Sequence, residues 1–258
     1  MPRFWSGSRA SCSAWPAHFG LSRRDESSRR LPAPPKPQTL TRKDIRDMQD
    51  APSVRQHFQT VAASFDSIYA SPSLLDRIFR RDMYERFQRT LEECRPLGGK
   101  SVLDVGCGSG RYGVAFAEGG AREVVGVDFA PKMVDLALDN ARRAGVIDRC
   151  KFIAVPFLTH PFDQRFDYVL AVGFFDYVED PLPFLAKSRE LTRAKFIATF
   201  PRLFTWRAPT RKLRLALRKC PVFFYTRRRV LDLMTRAGFS VSRLEPCGTL
   251  YWVSGTPR

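Results

Sequence analysis

No stretch of this sequence approaches the roughly 18 unbroken apolar residues that a membrane-spanning helix requires. Nor does it open with the short apolar region of a secretory signal. Its six cysteines form no CxxC pair, and the histidines His18, His57 and His160 sit apart from them. That spacing argues against a zinc site or disulfide framework and reads as reduced thiols in a cytoplasmic protein. Internal repeats are absent. Acids are missing in two places, before Asp25 and between Glu190 and Asp232.

The second gap leaves a marked imbalance. The net charge is +17, and residues 182–258 hold 17 Lys and Arg against 3 Asp and Glu. Residues 48–181 are mildly acidic, with 16 against 19. Such a basic final third suits an anionic partner, or else a solubilising face turned to water.

Residues 1–47 are rich in Arg, Ser and Pro and lack helix or strand periodicity, so they are expected to be disordered. They read as a plain tail or an upstream artefact, with translation beginning at Met48. An organelle transit peptide is the third reading. The ordered domain is then 48–258, with an N-terminal helical lid over 48–97 and a basic insertion over 201–225. In the lid, Val54, Phe58, Val61 and Phe65 share one helical face. A second helix is predicted over about 74–94.

Strands and helices then alternate. Strands are predicted at 101–105, 123–128, 150–155, 167–172 and 195–200. Pro131 opens a helix that Gly145 closes, another covers 182–191, and Thr226 caps one that ends at Gly238. Two final strands at 239–245 and 249–254 read as a hairpin. The pattern is that of an α/β protein: a Rossmann-like, seven-stranded, mostly parallel sheet with an antiparallel C-terminal hairpin and helices on both faces.

In such sheets ligands bind beyond the carboxyl ends of the strands. There the sequence reads VLDVGCGSG, placing Gly106, Cys107, Gly108, Ser109 and Gly110 between the first strand and its helix. Asp104 precedes this turn, and Asp128 ends the second strand, where an acid can accept hydrogen bonds from ribose hydroxyls. The third glycine arrives one residue early for the dinucleotide pattern G-x-G-x-x-G, which argues against an NAD-dependent oxidoreductase.

VLDVGCGSG resembles the first motif of the class I S-adenosylmethionine-dependent methyltransferases. Within them the chain looks similar to small-molecule enzymes of the magnesium-protoporphyrin and quinone type. The shared features are Phe58, Phe65 and Tyr69, the FPR at 200–202 and the YTRRRVLDLMTRAGF run. The resemblance implies S-adenosyl-L-methionine as cofactor. It places Asp104 at the methionine amino group, Gly106, Cys107, Gly108 and Gly110 beneath the methionine and ribose, and Asp128 on the ribose. Phe129 and Phe157 would pack on the adenine and Val172 would meet the cofactor through its backbone. The family's acid after the third strand is replaced by Pro156. Its histidine pair after the fourth strand is replaced by Asp176 and Tyr177, ahead of the retained Asp180-Pro181 step.

The expected reaction is an in-line displacement onto a small, apolar, anionic acceptor. A carboxylate acceptor needs no base, whereas a phenol or amine is helped by one. Candidate bases are Asp176, Tyr177, His57 and Tyr69. Against these roles stand a helix cap for Asp176, and core positions for His57 and for the aromatics at 58, 65 and 69. Within the basic third, residues 209–220 read as an amphipathic helix with Leu213, Ala216, Leu217 and Cys220 on one face and a cationic rim. That suits peripheral contact with an anionic membrane, cover for an amphiphilic acceptor, or simple core packing. An RNA or protein methyltransferase and a non-catalytic, cofactor-binding partner of the same fold are the alternatives. Nucleic acid is disfavoured because no RNA-binding module or aromatic-studded basic strand is present, and no N-P-P-Y-type motif follows the fourth strand. The sequence is silent on oligomeric state.

Overall fold

A computed structural model describes residues 74–203 and 222–258, with side chains from Met83 onward. His57, Phe58, Phe65, Tyr69, the tail at 1–47 and the amphipathic stretch at 209–220 lie outside the described residues.

The described chain runs α1 (Leu74–Glu93), β1 (Ser101–Val105), α2 (Arg111–Glu118), β2 (Glu123–Asp128), α3 (Pro131–Arg143) and β3 (Cys150–Ala154). It continues with β4 (Phe166–Ala171), α4 (Leu182–Leu191), β5 (Thr192–Pro201), α5 (Arg227–Arg236), β6 (Phe239–Cys247) and β7 (Leu250–Pro257). Seven strands form one sheet in the order β3-β2-β1-β4-β5-β7-β6. The first five are parallel, and β7 lies antiparallel between β5 and β6. From β1 the chain winds one way to β2 and β3, then restarts at β4 and winds the other way. That reversal opens a crevice beyond the carboxyl ends of β1 and β4.

Local chemistry explains the element ends. Pro131 occupies the first turn of α3, where its missing N–H costs nothing, and Arg142 and Arg143 sit in the last turn, facing the negative end of the helix dipole. Thr226 caps α5, its Oγ1 accepting from the Arg229 N–H at 3.2 Å. β5 differs from the sequence expectation. It begins at Thr192, straight from the end of α4, rather than at Lys195. Thr192 Oγ1 donates to Ser188 O at 2.6 Å, so the helix end and the strand start share one residue.

The sheet divides the core in two. Leu103, Val105, Val169, Ala171 and Phe196 pack on one face with α4 and α5, and Val102, Tyr168, Leu170 and Val172 pack on the other with α1, α2 and α3. Alternate residues of one strand serve opposite faces, as a pleated strand requires. α1 is fastened to the second face. Thr90, Cys94 and Leu97 are buried, and the fully buried Trp252 donates from Nε1 to Thr90 Oγ1 at 3.0 Å. Truncating such a side chain typically costs about 3–5 kcal/mol. The described half of the expected lid segment is therefore tied to the sheet.

The basic insertion has a closed base. The Tyr225 N–H donates to Pro201 O at 2.7 Å, the Leu203 N–H donates to Tyr225 O at 3.0 Å, and Arg202 bridges Tyr225 in parallel.

Candidate active site

The glycine turn leaves β1 at the reversal point. The Gly106 and Cys107 N–H groups both donate to Val127 O, at 2.8 and 3.1 Å, which binds the turn to the end of β2. Two glycines show why the sequence spends flexibility here. Gly110 has φ +74, and a Cβ there would lie 2.8 Å from Ala137 Cβ and 2.9 Å from Phe152 Cζ. It lets α2 press onto α3 and β3. Gly108 has φ +53, and a Cβ there would meet nothing within 4 Å. Its bareness serves space outside the protein's own packing, as close approach of a ligand would require.

Two carboxylates flank the turn. Asp128 Oδ2 accepts from the Gly108 N–H and Oδ1 from the Ala130 N–H, both at 2.9 Å. Burial raises its pKa, and the amides of Ala130, Gly108 and Phe129 partly offset that. Asp128 thus pins the glycine turn, whatever else it binds. Asp104, next strand over, is 2 % exposed, and its Oδ2 has no hydrogen-bond partner among the described residues. Burial, followed by the neighbouring charge of Asp128, pushes its pKa up to about 7. An unsatisfied buried carboxylate oxygen is costly, so this atom is poised for a donor or cation. Burial also raises the Cys107 thiol far above its ordinary range, leaving it neutral.

The remaining sequence-chosen residues separate into two groups. Val172 ends the β4 side of the crevice, and Phe129, half-buried, follows Asp128 at the end of β2. These join Asp104, Gly106, Cys107, Gly108, Gly110 and Asp128 around the reversal point. Phe157, expected over an adenine, is instead drawn into the core. It is 4 % exposed and stacks on Phe184 at 6.3 Å. Lys187 Nζ lies 5.3 Å from its ring and donates to Leu158 O and His160 O. Burial lowers the Lys187 pKa. Asp176 is buried under the return of the insertion, its carbonyl accepting from the Phe223 N–H at 3.0 Å. It is not the cap of α4, for the Leu182 N–H donates to Asp180 Oδ1 instead. Tyr225, held above its ordinary pKa by burial and then by Asp176, donates to Val178 O at 3.0 Å. Tyr177 is half-buried beside them.

Three residues at the crevice were not picked from the sequence. The Phe174 ring closes on the Gly106 Cα, where an added Cβ would lie 2.7 Å from Cδ2. Thr199 Oγ1 accepts from the Gly173 N–H at 2.8 Å and fixes the turn after β4. Arg86 of α1 reaches Gly173 from the other side. Phe174 lay in view within the FFDY string, but Thr199 and Arg86 belong to no motif.

Among the described residues no cluster of His, Cys, Asp and Glu could hold a metal ion, and no helix is long and apolar enough to cross a membrane. A cleft of about 600 Å³ also lies between α1 and β6, beside Tyr84, Gln88, Arg89, Glu93 and Arg243. Its arginines are spent on its own acids.

The fold and the glycine turn match known proteins in the same region. A family model described as a methyltransferase domain matches residues 97–203, which run from the end of α1 through β5. This segment is similar to methyltransferase domains. Its fold extends beyond the match. The chain superposes on magnesium protoporphyrin IX methyltransferase from Synechocystis PCC 6803 with a TM-score of 0.68 at 19 % identity, covering 81 % of this chain and 100 % of that one. Among curated relatives, the ubiquinone biosynthesis O-methyltransferase of Cereibacter sphaeroides is 34 % identical over 123 residues, 48 % of this chain and 49 % of that protein. The ribosomal protein L11 methyltransferase of Aeromonas hydrophila is 39 % identical over 90 residues, 35 % of this chain and 29 % of that protein. The chain thus spans about half the length or less of these two relatives. Within the matched segment, the Asp104–Gly110 turn and Asp128 occupy the crevice at the strand-order reversal.

Proposed function

We propose that the chain is an S-adenosyl-L-methionine-dependent methyltransferase acting on a small, apolar, anionic acceptor. The observation that carries this reading is the buried Asp104 Oδ2, without a hydrogen-bond partner among the described residues, beside the open backbone of Gly108, in a segment similar to methyltransferase domains. The residues fit the cofactor's charges. Asp104 would take the ammonium of the amino-acid half. Asp128, already fixed by two amides, retains lone pairs for two ribose hydroxyls. Gly108 leaves room for the chain that joins them. When bound, the cofactor's sulfonium supplies a methyl group for in-line transfer to the acceptor.

The protein's part is placement and exclusion of water. Phe174 and Gly173 wall the reacting end. Asp176 and Tyr177, in the turn after β4, are the described candidates for a proton acceptor when the acceptor is not already ionised. His57 is a third. The amphipathic stretch at 209–220 would cover an apolar acid with its leucines and hold the charge with its rim. The same stretch would give peripheral contact with an anionic membrane. The similarity to a ribosomal protein L11 methyltransferase favours a second reading, transfer to a protein, to which the basic C-terminal third would contribute attraction.

Calorimetric titration of the full chain with S-adenosylmethionine and, separately, NADH tests the proposal. Micromolar binding of the first alone is expected, followed by methyl transfer to a quinone-precursor phenol, fatty acid or porphyrin acid. Absence of S-adenosylmethionine binding would overturn the reading.

A further inference from the structure

The turn after β4, residues 173–178, sets Phe174 against the Gly106 backbone and carries Asp176 and Tyr177. Its internal bond is long, with the Tyr177 N–H reaching Phe174 O at 3.4 Å. Shorter bonds come from residues that follow 204–221 in sequence. The Phe223 N–H donates to Asp176 O at 3.0 Å. The Tyr225 hydroxyl donates to Val178 O at 3.0 Å and also faces Phe175 O at 3.4 Å. Residues 223 and 225 thus grip the carbonyl of Asp176 and the carbonyls that flank the Asp176 and Tyr177 pair. At the other end, the Gly173 N–H is held by Thr199 Oγ1.

Tyr225 is suited to that grip. Burial, and then the charge of Asp176, hold its pKa above the ordinary range, so the hydroxyl keeps its proton and remains a donor. Its ring is buried and meets Phe200 edge-on at 5.1 Å, and Phe200 stacks on Phe175 at 4.6 Å. Its backbone is fastened separately, through the bonds with Pro201 and Leu203. The hydroxyl is therefore not what holds residue 225 in place. It is a buried donor anchored on one side and aimed at the carbonyls of a turn on the other, and such a bond fixes the turn.

We propose that Tyr225 is a positioning residue for the reacting end of the crevice. Its hydroxyl holds the Val178 and Phe175 carbonyls and so sets where Phe174, Asp176 and Tyr177 stand relative to the glycine turn. It acts through the backbone and touches neither methyl donor nor acceptor. A misplacement of about 1 Å at a reacting end can cost on the order of a hundredfold in rate. The proposal rests on the methyltransferase reading for the reaction it serves.

The test compares the full chain as wild type, Tyr225→Phe and Arg202→Ala. Tyr225→Phe keeps the ring and the backbone clasp and removes the hydroxyl. Arg202→Ala loosens the same clasp, but its side chain is bonded to the β6–β7 link, with Nη1 donating to Gly248 O at 2.9 Å. The first measurement is amide hydrogen exchange of the ligand-free proteins, read by mass spectrometry. Tyr225→Phe should speed exchange across 173–178 tenfold or more while β1, β2 and α3 keep wild-type rates. Arg202→Ala should leave 173–178 unchanged. The second is turnover with 3,4-dihydroxybenzoate or octanoate as methyl acceptor. Tyr225→Phe should lower kcat tenfold or more with the KM for S-adenosylmethionine within twofold, and Arg202→Ala should keep the wild-type kcat. Unchanged exchange across 173–178 in Tyr225→Phe would overturn the proposal, as would faster exchange with an unchanged kcat. Equal losses in Arg202→Ala would reduce the effect to general stability and overturn it too. If wild type bound no S-adenosylmethionine, the methyltransferase reading would fall. Exchange would then decide by itself whether Tyr225 positions this turn, as it would if wild type methylated neither acceptor.

Discussion

Arg86 and Arg89 sit one turn apart on α1 and lead opposite lives. Arg89 donates to Glu85 at 3.0 Å and Glu245 at 2.8 Å, and lies 5.9 Å over the Trp252 ring. Beside it, Arg243 joins Glu93 and Glu245, and Glu93 also takes Lys195 at 2.8 Å. Burial alone would raise the Glu93 pKa, and the bonds from Lys195 and Arg243 outweigh it and hold it low. That flank is closed, with Arg89, Arg243 and Lys195 paired to Glu85, Glu93 and Glu245 within the chain. The Arg86 flank is open, its buried Nε without a hydrogen-bond partner among the described residues. The glycines repeat the contrast, for Gly110 is enclosed by side chains whereas Gly108 faces empty space. Closed interactions report on how the domain holds together, and open ones on what it is built to receive.

The largest effect should come from breaking a closed contact. Gly110→Ala forces a Cβ into Ala137 and Phe152 at a positive φ. It should cost about 3 kcal/mol of stability, read as a fall in the thermal midpoint of roughly 6–12 °C. Gly108→Ala, strained but unobstructed, should lose far less stability while still weakening S-adenosylmethionine. Equal melting losses would erase the distinction between the two glycines.

A middle effect belongs to Asp104. Its ordinary pKa is 3.8 and its folded value about 7, so between these the folded chain keeps a proton that the unfolded chain has released. Its contribution to stability is therefore greatest below about pH 4 and is lost as pH rises towards 7. Asp104→Asn should flatten that part of the stability profile and stabilise the ligand-free protein above pH 7, while weakening S-adenosylmethionine. Denaturant midpoints across pH 4 to 8 check this, and an unchanged slope would count against the buried charge. The smallest effect is Glu245→Gln. Glu245 is 40 % exposed, so its bonds to Arg89 and Arg243 are worth about 0.5 kcal/mol and should fade with salt. Chemical denaturation at two salt concentrations reads it.

The sequence made the fold legible because each signal was local. Glycine at a strand end, proline opening a helix and threonine capping one act through their own backbone, and the strands at 101–105 and 123–128 fall where alternation put them. The acids Asp104 and Asp128 were legible through the motif, although the double amide grip on Asp128 was not. Arg86 was invisible in one dimension. Nothing in RDMYERF separates it from the arginine three residues on, and only the distant partners that each finds or lacks tell them apart. Phe157 misled for the same reason. An aromatic after β3 suits a nucleoside as well as a core, and the Phe184 ring on α4, with which it stacks, drew it into the core.

One feature at the rim bears on how such a protein changes over generations. Because Pro201, Leu203 and Tyr225 are hydrogen-bonded together, the described residues on either side of 204–221 meet at a single clasp. Closing a longer segment there adds only about 0.6 kcal/mol per doubling of length. Lineages could therefore exchange the sequence between those two points wholesale while inheriting the sheet and its glycine turn intact.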